Sequence, residues 1–157
     1  MIPEKVSRIL ETHGLGVKEF APGSTATSVL AAQQLGVAVG QIAKSLLFSG
    51  KDGKFFMVVC PGDRRLSSSK LKAVTGVKSR MATTEEARAA TGFGPGGVCP
   101  FGIDAGIAIF IDKSLSEHAT IFPAAGTDSS GVPMTFDRLV AITGGTVGDF
   151  LAENAEA

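Results

Sequence analysis

The chain has 157 residues, 44% hydrophobic and 19% charged, so it is long enough for one packed domain and too apolar to be disordered. Its 15 basic and 15 acidic residues cancel, which excludes a protein that holds nucleic acid through overall positive charge. Two cysteines, with no Cys-x-x-Cys or Cys/His cluster, exclude a disulfide framework and a structural zinc site.

The start of the chain gives no sign of a targeting segment. Residues 1–5 are Met-Ile-Pro-Glu-Lys, without the apolar stretch of a signal peptide. No apolar run is long enough to span a bilayer. We therefore expect one domain over residues 1–157 that works in the cytoplasm, away from membranes, with neither metal nor cofactor.

The first predicted elements are two helices separated by a short strand. An apolar stripe predicts a helix over residues 3–13. Residues 16–20 are expected to form a strand. Ser24 and Thr25 are the expected caps of the next helix, which ends at Gly36.

A β-hairpin is predicted next. Residues 43–49 and 55–60 form its strands, and the Asp52-Gly53 pair between them is a hairpin turn signal. The second strand is an unbroken apolar run, which is typical of a strand buried on both faces.

The second half of the chain alternates helices and strands. Serines at 67–69 precede a helix that stops at Gly76, and Thr83 with Glu86 forms a capping box for a helix that ends at Gly92. This mixture, with at least one antiparallel pair, predicts an α/β or α+β fold with a mixed sheet. The remaining predicted elements are strands at residues 107–111, 120–122 and 132–136 and a last helix capped by Asp137.

The most unusual stretch is the glycine- and proline-rich segment GFGPGGVCPFG at residues 92–102. Glycines let backbone amides approach a ligand, so free N–H groups here could form an anion or oxyanion site. A plain surface loop would have the same composition. The segment is not a dinucleotide-binding fingerprint, because Pro95 interrupts the G-x-G-x-x-G letters and a helix precedes them.

A second candidate is Lys44, within the apolar segment at residues 41–48. A lysine there either points into a cleft, where it would stabilise developing negative charge, or extends from the strand edge into water. The residues alone leave both interpretations open.

Two further features are less specific. The interval from Arg64 to Arg80 carries six of the fifteen lysines and arginines and no acidic residue, which suits either an RNA backbone or a solvated helix face. Cys99 and His118 could pair as thiol nucleophile and base, although a buried, inert cysteine is the commoner case.

Taken in order, several blocks of the sequence resemble the YbaK/EbsC family, which shares the fold of the editing domain inserted in bacterial prolyl-tRNA synthetases. The resemblance covers about residues 5–150. It implies a mixed, barrel-like sheet flanked by helices and metal-free, stand-alone (trans-editing) hydrolysis of the ester that joins a wrong amino acid to tRNA. The blocks are QIAKSLLF at 41–48, PGDRR at 61–65, Lys70-Leu71, Thr91-Gly92, GGVCPFG at 96–102 and Ala124-Ala125-Gly126.

The resemblance also implies site residues. Lys44 matches the family's functional lysine, which positions the aminoacyl carbonyl or the terminal ribose and phosphate. The implied substrate-binding residues are the neighbour of this lysine, the members of a G-x-x-x-P loop and two residues of a loop that closes the pocket: Ser45, Gly96, Gly97, Val98, Cys99, Pro100, Gly126 and Thr127.

The expected function is therefore that of an aminoacyl-tRNA deacylase acting on the acceptor end of mischarged tRNA, with an aminoacyl-tRNA synthetase as a further candidate partner. Members that remove cysteine carry Ser-Gly-Gly where this chain has Ala124-Ala125-Gly126, so alanine, serine and threonine stand beside cysteine as candidate substrates. Two alternatives are a non-catalytic module that binds a small ligand or a protein, and a thiol hydrolase that uses Cys99.

Overall fold

The protein is represented by a computed structural model that describes residues 1–153. Short 3₁₀ turns at Val39–Gln41 and Lys113–Glu117 connect some of the longer elements. In chain order the helices and strands are α1 (Glu4–Thr12), β1 (Lys18–Glu19), α2 (Ser28–Leu35), β2 (Ala43–Gly50), β3 (Phe55–Pro61), α3 (Ser68–Thr75), β4 (Ser79–Met81), α4 (Thr84–Thr91), β5 (Ala108–Asp112), β6 (Ser130–Gly131), α5 (Phe136–Thr143) and β7 (Thr146–Gly148).

A mixed five-stranded sheet organises the fold, in the order β4-β2-β3-β5-β7. The pairs β2–β3 and β2–β4 are antiparallel, whereas β3–β5 and β5–β7 are parallel. A separate antiparallel pair joins β1 to β6. The predicted mixed sheet flanked by helices is thus confirmed, although within residues 1–153 its edge strands β4 and β7 do not close it into a barrel.

The predicted hairpin is confirmed and forms the centre of the sheet. Its register runs from Ala43 opposite Pro61 to Ser49 opposite Phe55. Every residue of β3 after Phe55 is buried, as its continuous apolar run predicts. The strand is therefore covered on both faces.

Different helices pack against the two faces of the sheet. The side chains of Ala43, Val59 and Ile111 pack with α1 and α5 in the largest core cluster, and Leu47 packs with Ala87 of α4. On the opposite face, a cluster of aromatic and aliphatic side chains packs under α3; it comprises Phe48, Phe56, Val58, Leu71 and Phe150. Burial of this apolar area is the main stabilising contribution to the fold.

Helix boundaries follow side-chain caps and left-handed glycines. The predicted cap Ser67 accepts a hydrogen bond from the Lys70 N–H at 3.2 Å. In the predicted capping box, Glu86 N–H donates to Thr83 Oγ1 at 3.1 Å and Thr83 N–H donates to Glu86 Oε1 at 2.8 Å. Four helices end at a glycine with positive φ, where a side chain would be strained: Gly36, Gly76, Gly92 and Gly144.

Two predicted caps were wrong. Helix α2 is capped by Thr27 rather than by Ser24 or Thr25, because the Thr25 N–H and hydroxyl bond instead to Asp128 and Ser130. Helix α5 is capped by Thr135, and Asp137 lies within its first turn. For α2, the expected cap Thr25 is engaged in a tertiary contact. For α5, the hydroxyl of Thr135 caps the helix before Asp137 is reached.

The predicted strands of the second half were placed with less success. The expected strand at 132–136 is replaced by β6 just before it and by α5, which begins at Phe136. Residues 120–122 contribute single bridges rather than a strand. Strands β4 and β7 have three residues each and were missed, because a pattern that short carries no readable alternation.

Candidate functional site

One edge of β2 is uncovered over part of its length. The Ala43 N–H donates to Phe122 O at 3.2 Å, and the Leu47 carbonyl accepts from the Ala82 N–H at 2.9 Å. Alternate residues of an antiparallel strand direct their N–H and C=O to the same side, so Ser45 directs both groups to this edge as well. Within the described chain neither group of Ser45 has a backbone partner there.

A cavity of about 320 Å³ lies at this gap. The two residues that cover the strand edge on either side of the gap, Phe122 and Ala82, both line it. Its other walls come from β2, the first turns of α2 and α4, and the glycine-rich loop. Its volume is at the lower end for ligand pockets, which suits a small group.

Lys44 lies on the wall of this cavity, in the middle of the gap. Its position on β2 is opposite Cys60, and its side chain leaves the sheet on the face shared by Leu46 and Phe48. Among residues 1–153 its ammonium group forms neither an ion pair nor a hydrogen bond. Lys44 is therefore a lining residue of the cavity that carries no ion pair within that range.

Ser45 lies on the same wall but faces the other way. Its side chain belongs to the face of Ala43 and Leu47, and it is 9% exposed. Its hydroxyl oxygen is buried and has no hydrogen-bond partner within residues 1–153. The side chains of Lys44 and Ser45 lie on opposite faces of the sheet. Both residues nevertheless line the cavity, because it lies at the free edge of β2.

The glycine-rich loop contributes Gly94, Pro95, Gly96 and Val98 to the lining of the cavity. The Gly97 N–H is already used, because it donates to Gly94 O at 3.1 Å. The N–H groups of Gly96 and Val98 have no acceptor among the residues that the structure describes. Two amides of the loop are thus left without a protein acceptor.

The double glycine also has a packing reason. Gly96 has φ +76°, and a Cβ there would lie 3.0 Å from the Ala26 backbone. A Cβ on Gly97 would lie 2.9 Å from Gly126 O and from Thr127 Cα. Larger residues would therefore push the loop away from the two segments that hold it in place.

The loop at residues 124–130 packs against the glycine-rich loop and is held by its own hydrogen bonds. The Ser130 hydroxyl accepts from Ala125 N–H at 3.0 Å and pairs with Thr127 Oγ1 at 2.8 Å. Gly126 has φ +90°, and a Cβ there would contact Phe93 and Pro3 at 3.0 Å. Ala124 and Ser130 line the cavity, whereas Gly126 and Thr127 are not among its lining residues.

Four of the nine predicted site residues therefore line one cavity: Lys44, Ser45, Gly96 and Val98. The other five are not among its lining residues: Gly97, Cys99, Pro100, Gly126 and Thr127. The first turns of α2 and α4, which the sequence did not indicate as parts of the site, also line the cavity through Thr27, Ser28, Thr83 and Thr84. Only the capping signal at Thr83 and Glu86 placed one of these helix starts correctly. The N-termini of both helices therefore lie at this cavity, although side-chain caps already occupy the N–H groups of Leu30 and Glu86.

Comparison with known families decides where the chain belongs. The family model described as "Aminoacyl-tRNA editing domain" matches residues 23–142. This chain belongs to the aminoacyl-tRNA editing domain family. The predicted resemblance to the YbaK/EbsC family is thereby confirmed.

Individual relatives of this editing domain support the same family assignment. It is 38% identical to YwhH of Bacillus subtilis over 119 residues, covering 76% of this chain and 75% of YwhH. It is 25% identical over 142 residues to the "Putative Cys-tRNA(Pro)/Cys-tRNA(Cys) deacylase EbsC" of Enterococcus faecalis, covering 88% and 87% of the two chains. The crystal structure of a "putative trans-editing enzyme for prolyl tRNA synthetase" superposes with a TM-score of 0.85 at 36% identity, covering 97% of this chain and 99% of that one.

The cysteines of the editing domain are poor nucleophiles. Cys99 is fully buried, its thiol faces the Phe101 carbonyl at 3.9 Å, and burial raises its pKa to about 12. Burial likewise raises the pKa of Cys60 to about 12, against the opposing effect of the nearby Lys44 charge. A thiolate is the reactive form, so this geometry disfavours the thiol-hydrolase alternative.

The basic interval of the editing domain is partly neutralised. Lys70 pairs with Asp149 at 2.9 Å, and Arg80 pairs with Glu86 at 2.7 Å. The Arg80 guanidinium hydrogen bond lowers the pKa of Glu86 to about 2. Such exposed pairs are worth little in stability, but they reduce the charge that this surface offers to RNA.

No helix within residues 1–153 is long and apolar enough to cross a membrane. No group of three or more His, Cys, Asp or Glu side chains in that range is arranged to hold a metal ion.

Proposed function

We propose that this editing domain hydrolyses the ester of mischarged tRNA that carries a small amino acid such as alanine, cysteine, serine or threonine. The observation that carries the proposal is the cavity itself, which is lined both by Lys44 at the open edge of β2 and by the Gly96–Val98 wall of the glycine-rich loop. An aminoacyl ester is already activated, so positioning and charge stabilisation suffice without a covalent intermediate.

In the proposed reaction, water adds to the ester carbonyl carbon. The negative charge that develops on the carbonyl oxygen is stabilised by the Lys44 ammonium and by free backbone N–H groups at the cavity wall. The bond from the carbonyl carbon to the ribose oxygen then breaks, and that oxygen takes up the proton that the attacking water has lost. The products are the free amino acid and the tRNA 3′ end.

Cavity size supports selectivity for small amino acids. The cavity is small, about 320 Å³, and several of its lining residues have short side chains, including Ala87 and Ala124. A bulky residue is excluded by steric clash, whereas each methylene of added contact favours a larger ligand by only about 1–3 kcal/mol. Exclusion therefore sets the upper limit on side-chain size.

The proposal is tested by a deacylation panel with the wild-type chain. Because the structural relative carries prolyl-tRNA synthetase in its name, tRNA(Pro) charged with alanine, cysteine, serine, threonine or proline is the first set to try. We expect at least one small amino acid to be released well above the spontaneous rate, and prolyl-tRNA(Pro) to be spared. Binding of the charged tRNAs without faster release of any amino acid would favour the non-catalytic module instead.

A further inference from the structure

The unpaired backbone of Ser45 is the most specific feature of the cavity that the proposed reaction leaves unused. Ser45 lies midway between Ala43, whose N–H is bonded to Phe122, and Leu47, whose C=O is bonded to Ala82. Its own N–H and C=O point into the gap between these two contacts. Between these two contacts the edge of β2 has no backbone partner from the Ala43 C=O to the Leu47 N–H, and Ser45 lies at the centre of this stretch. A short extended group centred opposite Ser45 therefore fits the gap.

An aminoacyl ester has the groups that such an edge binds. Two residues that form a hydrogen-bonded pair in an antiparallel sheet exchange both of their N–H···O=C bonds. An aminoacyl group presents an α-ammonium donor and an ester carbonyl acceptor with the spacing of one residue. It therefore matches the N–H and C=O of Ser45.

We infer that the aminoacyl group binds as a one-residue strand paired with Ser45. Its α-ammonium donates to the Ser45 carbonyl, and its ester carbonyl oxygen accepts from the Ser45 N–H. This inference rests on the proposed deacylase function and adds to it the part of the substrate that is recognised. The pairing also places the carbonyl carbon beside the residue that precedes Ser45, which is Lys44.

The pairing fixes the direction of the substrate side chain. Side chains of residues directly opposite each other in a sheet lie on the same face. The side chain of an L-amino acid would thus lie beside that of Ser45, toward Val98 and Ala87. That region is apolar, closely walled and bordered by the unpartnered Ser45 hydroxyl.

The opposite configuration does not fit. A D-amino acid that keeps both backbone bonds would direct its side chain to the other face, which Lys44 and Leu46 occupy. An acyl group without an α-amine would lose the bond to the Ser45 carbonyl. Hydrogen bonds to charged groups are among the stronger ones in proteins.

Matched substrates test the inference with the unmodified protein. The same tRNA would carry L-alanyl, D-alanyl or propionyl, which is alanyl without its amine. Each enzymatic kcat/KM would be divided by the spontaneous hydrolysis rate of that ester, because the ammonium group itself makes an ester more labile. We expect the corrected value to fall by about 10- to 100-fold for propionyl, since a hydrogen bond to a charged group is lost, and at least tenfold for D-alanyl.

Binding measurements separate this inference from the proposed function. Non-hydrolysable, amide-linked L-alanyl-, D-alanyl- and propionyl-adenosine would be titrated into the protein. If no ester is hydrolysed but the L-alanyl compound binds at least tenfold more tightly than the other two, the proposed function fails and the pairing stands. Equal corrected rates, or equal dissociation constants where no rate is measurable, would overturn the pairing whether or not the chain is a deacylase.

Discussion

Replacing Lys44 with alanine is expected to slow deacylation of mischarged tRNA by about 100- to 1,000-fold, the usual loss when one stabiliser of a developing oxyanion is removed. Lys44 lines the cavity and has no counterion within residues 1–153. Its charge is therefore available to the substrate. Single-turnover release of the amino acid is the measurement.

Further variants distinguish the loss of the Lys44 charge from a loss of folding. Lys44→Met keeps most of the length of the side chain and removes only the charge, so it should be as slow as Lys44→Ala. Lys51→Ala removes an exposed lysine at the hairpin turn and should keep the wild-type rate. All three variants should melt within a few degrees of the wild type. Wild-type rates in both Lys44 variants would remove the lysine from the mechanism.

The second large effect is expected at Asp112, at the end of β5. This carboxylate is 1% exposed and accepts hydrogen bonds from Phe150 N–H at 2.8 Å and Ser114 N–H at 3.0 Å, and from the Ser114 hydroxyl. Asp112→Ala leaves buried donors without an acceptor, each at a cost of about 1–3 kcal/mol. We expect a loss of about 3 kcal/mol, which corresponds to a melting temperature about 6–12 °C lower for a domain of this size.

Asp137→Ala is the matched control for this prediction. Asp137 is exposed in the first turn of α5, where an acid stabilises the helix by only about 0.3–1 kcal/mol. Thermal unfolding of both variants under identical conditions compares the two positions. If the Asp112→Ala and Asp137→Ala proteins unfolded at the same temperature, the buried hydrogen bonds of Asp112 would contribute little to the stability of the fold.

The parts of the fold that could be predicted are those set by local residues. The Asp52-Gly53 turn and the apolar runs on either side specify the hairpin, and Thr83 with Glu86 specifies the start of α4. Each signal lies within a few residues and agrees with the tertiary structure. The resemblance likewise directed attention to Lys44 through a contiguous block of sequence.

The parts that could not be predicted depend on contacts between distant residues. Thr25 is a good capping residue, yet it bonds to the loop around Asp128, so α2 begins later. Gly97 appears in the sequence as a free amide, yet its N–H is taken by Gly94. The gap at Ser45 exists only because Phe122 and Ala82 cover β2 on either side, and no local pattern reports such a gap.

The distribution of the predicted site residues has the same origin. A G-x-x-x-P loop has one side that faces the cavity and one that faces the core. Gly96 and Val98 line the cavity, whereas Cys99 is buried against Phe101. Sequence alone gives the loop but not the orientation of each residue within it.

A crystal structure with amide-linked L-alanyl-adenosine tests the central claim most directly. We predict that the alanyl group occupies the cavity between β2 and the Gly96–Val98 wall, with its carbonyl oxygen within hydrogen-bond distance of the Ser45 N–H and near the Lys44 ammonium. An alanyl group bound elsewhere on the protein, with this cavity empty, would contradict the account.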